Sequence, residues 1–260
     1  MELLEQTSFG VRLTEDIAHI IAEALKLYSG GKFSQAAEHF AAALARAPDH
    51  VVALRLRGLA LVRSGEVAQA LPLLARARRL APNDPLVFLH YGIGLREAGQ
   101  LARAAAMFRR AIGMLPKDPV PWINFSSTIL ALGHAQAARA AARRALAMAP
   151  QSAEAHYTLG LAEWRAQNLS GAQLAFSRAV KLAPTFAEAW LNLGLALFQL
   201  GRLGDATKAT HQALAARADY GAAEANLAAF TVLQGDHEEA LRRLRSVLAR
   251  DPACVPARLT

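Results

Sequence analysis

The sequence predicts an all-α solenoid: seven copies of one helical unit, stacked in series. Three observations carry that reading. Ala36, Ala70, Ala104, Ala138, Ala172, Ala206 and Ala240 each stand 34 residues after the one before. A fixed period of this length marks a supersecondary unit that cannot bury its apolar face alone and stacks to do so. A second column runs in phase, with Ala43, Ala77, Ala111, Ala145, Ala179 and Ala213 closed by Val247. The punctuation keeps the same period. Gly31, Gly65, Gly99, Gly133, Gly201 and Gly235 precede the first alanines, with Gln167 as the exception. Pro48, Pro82, Pro116, Pro150, Pro184 and Pro252 follow them, with Ala218 as the exception. Glycine ends helices and proline cannot continue them.

Taken in order, residues 1–16 lie outside the period. Thr14 or Asp16 is expected to cap the first helix. The repeats then run 17–50, 51–84, 85–118, 119–152, 153–186, 187–220 and 221–252. Asp84-Pro85 and Asp118-Pro119 each place an N-cap before a proline at the first helical position, where a missing N–H costs nothing. In repeat four, Ala142 stands where Phe40, Phe108 and Phe176 stand elsewhere. In repeat five, Gln167-Asn168 replaces the turn glycine; asparagine tolerates the left-handed conformation, so the turn is expected to survive there. Repeat six puts Thr210, and repeat seven Leu244, in the aromatic column. Residues 253–260 read as the truncated start of a further helix. The expectation is that the natural chain continues past Thr260, or that a partner or a second copy covers this end.

Composition narrows the function classes. The chain has 260 residues, 53% of them apolar, which is ample for a core. Its single cysteine, Cys254, excludes an internal disulfide and fits a reducing compartment. Met1-Glu2-Leu3-Leu4-Glu5 is acidic and lacks a signal-peptide core. No apolar run is long enough for a membrane span. Cytoplasm is the expected location. The net charge is +8, and the arginines concentrate in second helices: Arg76, Arg78, Arg79; Arg109, Arg110; Arg139, Arg143, Arg144; Arg242, Arg243, Arg245. They read as a solvated basic ridge, without the interleaved aromatics of a nucleic-acid stacking platform.

Trp190-Leu191-Asn192-Leu193-Gly194, with the weaker copies Phe88…Tyr91-Gly92 and His156…Leu159-Gly160, resembles the core motif of the tetratricopeptide repeat, a 34-residue helix–turn–helix. The resemblance covers about 17–252. It implies a right-handed superhelix with second helices outside and first helices lining a concave groove for ligands. It also resembles the repeat arrays of O-linked N-acetylglucosamine transferase, with their asparagine ladder.

With each repeat numbered from one, columns 4, 7, 8 and 11 of the first helix share the face that packs on the second helix. Columns 2, 5, 6, 9, 12 and 13 point the other way. These helices are apolar nearly all round, which predicts burial on both sides and an apolar groove for a partner segment. The candidates for contact are Arg55, Leu89, Ile123, Tyr157 and Leu191 at column 5, and His90, Asn124, Asn192 and Asn226 at column 6. Trp164 and Phe198 at column 12 and Arg165 at column 13 complete the set. Glu154 and Glu188 are expected to set charge preference. The asparagine amides match a peptide backbone bidentately. The lysine–asparagine clamp that chaperone-binding members use for C-terminal carboxylates is missing; only Arg55 resembles its cation.

No catalytic, cofactor or metal residues are expected. His237-Glu238-Glu239-Ala240-Leu241 lacks the second histidine of a zinc helix, and no phosphate-binding glycine run occurs. The leading expectation is a non-catalytic scaffold that binds a protein or peptide in its groove. The alternative is the substrate-selecting N-terminal region of a longer glycosyltransferase-type or sulfotransferase-type enzyme. The third is nucleic-acid binding through the outer arginines.

Overall fold

The computed structural model describes residues 2–250, and the side chains of residues 16–249. Residues 253–260, read above as the start of a further helix, lie outside the described residues. Fourteen helices and no strand occur among the described residues. They are α1 (Glu2–Ser29), α2 (Phe33–Arg46), α3 (Val51–Arg63), α4 (Val67–Leu80), α5 (Pro85–Glu97), α6 (Leu101–Met114) and α7 (Pro119–Ala131). Then come α8 (Ala135–Met148), α9 (Ala153–Arg165), α10 (Leu169–Leu182), α11 (Ala187–Gln199), α12 (Leu203–Ala216), α13 (Gly221–Leu233) and α14 (His237–Arg250). The chain forms two compact units that divide between Leu132 and Gly133. The first holds α1–α7 and the second α8–α14. Within each unit every helix packs on the next, and in the first unit α3 also packs on α5 and α5 on α7.

The alanine column sets the spacing. All seven alanines of the 36-to-240 series are fully buried, as are the six of the 43-to-213 series. A methyl side chain lets two helix backbones approach closely, which a larger residue would prevent. A second complementarity follows the same period. A Cβ on Gly58 would meet Leu74 at 2.5 Å, one on Gly92 would meet Phe108 at 2.6 Å, and one on Gly160 would meet Phe176 at 2.5 Å. Each large residue of the second helix therefore fills space left by a glycine on the first.

The turns follow the punctuation with one revision. Six turn glycines have φ between 73° and 90°, the left-handed region. In repeat five the left-handed residue is Gln167 itself, at φ 60°. Asn168 instead has φ −91° and serves as N-cap of α10, its Oδ1 accepting from Gly171 N at 3.1 Å. The backbone bond Asn168 N to Glu163 O, 2.9 Å, closes the turn as Glu66 N to Leu61 O does in repeat two. That ladder fixes the left-handed position at residue 167, whichever side chain stands there.

The starts of the first helices are capped where expected. Asp84 Oδ1 accepts from Leu86 N and Asp118 Oδ1 from Val120 N, both at 2.9 Å, beside Pro85 and Pro119. Each such cap is worth about 1 kcal/mol. The first helix departs from expectation. α1 runs unbroken from Glu2 through residues 14 and 16, so neither Thr14 nor Asp16 stands at a helix start. No proline interrupts the stretch, and a single interior glycine, Gly10, costs only about 1 kcal/mol.

Candidate functional site

In the first unit, the large apolar side chains that the first helices leave exposed are those of column 2, with Leu25 of column 9, rather than those of column 5. Leu25 is 42% exposed, Val52 38%, Leu86 38% and Val120 43%. Val52, Leu86 and Val120 are successive members of column 2 on α3, α5 and α7. A cavity of about 380 Å³ lies beside Leu25 and Val52, walled by Ile17, Ile21 and His50. Leu89, Ile123 and Leu191, expected to contact a partner, are buried. In the first unit the reason is the packing of successive first helices, which consumes column 5 and leaves its flanks in solvent. The three aliphatic residues of column 2 were readable at the 34-residue spacing; the pull of the more apolar column 5 hid them.

Arg55 and His90 do meet. Arg55 is buried on α3, and its Nη1 donates to His90 Nδ1 at 3.2 Å. A guanidinium has only donors, so this bond requires Nδ1 to be unprotonated. Burial, and next the charge of Arg55, push the His90 pKa down to about 4. The Arg55 Nε is buried without a hydrogen-bond partner. Asn124 is equally committed. Its Oδ1 accepts from Arg96 Nη1 at 2.9 Å and its Nδ2 donates to Val120 O at 3.0 Å.

In the second unit, Tyr157 and Asn192 form one group. Asn192 Nδ2 donates to Tyr157 Oη at 3.1 Å and to Glu188 O at 2.9 Å. Both amide hydrogens are thereby used. Asn124 and Asn192 thus hold their own helices and neighbours, and the bidentate grip on a peptide backbone expected of the ladder has no free donor at Asn192. Tyr157 packs on Phe186 with ring centroids 4.7 Å apart. Burial first, then Tyr220 and Glu188, push its phenol up to about 12. Trp164 is half-buried, edge-on to Phe176 at 6.1 Å. Phe198 lies on Phe230 at 4.9 Å and keeps 37% of its surface in solvent. Arg165 is exposed and Asn226 half-buried. Glu154 is exposed, while Glu188 is ion-paired with Arg217.

The arginines of the second helices are not a uniform solvated ridge. Arg76 pairs with Asp49 at 2.7 Å, Arg78 lies over Tyr91, and Arg110 lies over Phe88. Arg139 and Arg143 of α8 converge on Glu163 of α9, at 3.4 and 2.9 Å. Glu163 is almost wholly buried and also accepts from Asn168 Nδ2 at 2.9 Å. Its column holds Leu27, Leu61, Leu95, Ile129, Leu197 and Thr231 in the other repeats, and that single carboxylate in an otherwise uncharged column was the sequence signal that column-by-column reading of the groove passed over. Among the described residues, no three His, Cys, Asp or Glu side chains are placed to hold a metal ion. Among the same residues, no helix is long and apolar enough to cross a membrane.

Helix pairs repeated at a fixed period around buried alanines define a helical-repeat protein whose variable surface lies on the helix faces. The chain belongs to the tetratricopeptide-repeat family: the model of that repeat matches residues 21–85, 129–185 and 157–222, more than half of the sequence. No curated protein matches it. Among solved structures, the APC/C hetero-tetramer Cut9–Hcn1 is similar with TM-score 0.80 and 16% identity, over 90% of this chain; this chain spans 46% of that one. A tetratricopeptide repeat protein from Parabacteroides merdae ATCC 43184 gives TM-score 0.70 and 14% identity, covering 90% of this chain and 93% of that one. YrrB, described as having an unusual peptide-binding site, gives TM-score 0.53 and 18% identity, covering 71% and 95%. At these identities the likeness is one of fold.

Proposed function

We propose that the chain is a non-catalytic interaction scaffold that holds a segment of another protein against the exposed faces of its first helices. The observation that supports this most is the aliphatic series Val52, Leu86 and Val120, which stays in solvent while Arg55, Leu89 and Ile123 on the same helices are buried. Apolar side chains exposed at the same column of successive first helices suit an interaction surface, since exposed apolar patches usually mark such sites. Members of the family bind protein or peptide partners, and the peptide-binding site of YrrB is consistent with the same use here. In the second unit, Phe198, Trp164 and Arg165 supply the aromatic and charged counterparts, and we place the protein in the cytoplasm.

The test is capture of a partner from the source cell by the immobilised chain, followed by affinity measurement with the purified pair. Changing Leu86 and Val120 together to Asp should weaken the complex by at least about 2 kcal/mol, the scale of binding hot spots. Changing Trp164 and Phe198 to Ala should also weaken it. Arg144→Glu should leave it intact, and affinity should fall only mildly with salt. A steep salt dependence with loss on Arg144→Glu would transfer the function to the outer arginines.

A further inference from the structure

A cleft of about 450 Å³ lies in the second unit on the side of the second helices, away from columns 2 and 9. Leu159 of α9 and Leu174 and Ala175 of α10 form its apolar wall, and Arg143, Arg178, His156 and Glu163 line it with polar groups. Leu174 is 70% exposed, more than any other large apolar side chain described.

The cleft exists because repeat five lacks what fills the same place in repeat three. His156 and Leu159 stand where Phe88 and Tyr91 stand two periods earlier, and Gly171 where Arg103 stands. In repeat three the two rings are buried, Arg110 covers Phe88, and Arg103 Nη2 donates to Tyr91 Oη at 3.1 Å. Two buried rings and their arginines occupy that place in repeat three, where repeat five has a leucine and a histidine.

The charge is unmatched in the same way. Arg76 of repeat two reaches back to Asp49 at 2.7 Å. Arg178 occupies the equivalent position in repeat five, but its equivalent neighbour is Gln151, at 3.4 Å. Glu163 does not supply the missing negative charge to the edge, because both its oxygens are engaged by Arg139, Arg143 and Asn168. Arg143 remains 59% exposed even so.

We infer that this cleft is a second docking site, for a short segment of a partner protein in which an aromatic or leucine side chain is followed by Asp or Glu. The apolar side chain takes the place that Tyr91 fills in repeat three. The carboxylate takes the place against Arg178 that Asp49 takes against Arg76. A cavity of this size is in the range of specific ligand sites, and a carboxylate–arginine pair fixes orientation.

The experiment titrates the full chain, labelled with ¹⁵N, with a blocked peptide carrying Phe-Glu-Glu between Gly-Ser flanks. Saturable shifts of the Leu159, Gly171, Leu174 and Arg178 amides are expected. Replacing Phe by Ala, or Glu-Glu by Lys-Lys, should weaken binding about tenfold or more. Leu174→Glu and Arg178→Glu should each do the same; both residues are exposed, so the fold is retained. Leu159→Tyr, which restores the filling residue of repeat three, should also block binding. Joint change of Leu86 and Val120 to Asp should leave it unchanged, which separates this site from the one proposed on the first helices. Absence of saturable binding, equal binding of the Lys-Lys peptide, or indifference to both Leu174→Glu and Arg178→Glu would overturn the inference. Displacement of the peptide by oligothymidylate with higher affinity would also overturn it, in favour of a polyanion surface.

Discussion

Repeats three and five have the same backbone plan and opposite interiors at their outer edge. In α5–α6, Phe88 and Tyr91 close the space between helices and arginines lie on their rings. In α9–α10, smaller residues leave it open and a buried carboxylate pins α8 to α9. The period fixes where each Cα stands. The side chain at each column then decides whether the position closes, opens or binds. Function in such a protein is therefore sought at departures from the column, and Glu163 is the largest of them.

The most damaging single change falls on the glycine–aromatic fit that both repeats share. Gly160→Ala would set a Cβ 2.5 Å from the Phe176 ring, and overpacking of this kind should destabilise by about 3 kcal/mol. Gly113→Ala, where nothing lies within 4 Å, should instead stabilise by about 0.5–1 kcal/mol. Chemical denaturation of the two variants reads both signs.

The buried cation of the first unit gives the next effect. The folded pKa of His90 lies near 4, below the ordinary 6.5. The unfolded chain thus binds more protons between these values. The contribution of neutral His90 is fully present above pH 6.5 and is lost as pH falls toward 4, by roughly 2–3 kcal/mol. Urea titrations across that window should show the loss, and His90→Asn should flatten it.

Removing the carboxylate of the second unit comes next. Glu163→Ala should destabilise by about 2 kcal/mol, because Arg139 loses its counter-charge and a small cavity opens. Glu163→Leu, which installs the residue of repeat three, should cost about 1 kcal/mol or less, since apolar replacement of a buried ion pair is often neutral. Thermal unfolding ranks the pair. Gln167→Gly, which relieves a left-handed glutamine, should stabilise by about 1 kcal/mol.

The sequence made the helices legible because their signals repeat. Alanine spacing placed the close contacts, turn glycines placed the bends, and Asp84 and Asp118 placed two helix starts. The extended α1 escaped because its first half has no periodic counterpart to mark where it begins. The candidate site was less legible. Apolar character alone does not separate a buried column 5 from an exposed column 2, since which one faces water depends on how α3, α5 and α7 pack. Hydrogen bonds across repeats were also hidden. Asn192 and Tyr157 are 35 residues apart, and their bond depends on side-chain direction rather than on period.

Cysteine footprinting of the chain bound to its captured partner reads directly which face carries the partner. In a Cys254→Ser background, Leu86→Cys and Val120→Cys report the first-helix face and Leu80→Cys an equally exposed position on α4. Alkylation at 86 and 120 should slow at least about tenfold on complex formation while that at 80 stays unchanged, the contrast expected when a partner excludes water from its contact patch. Protection at 80 with free reaction at 86 and 120 would contradict the proposed site.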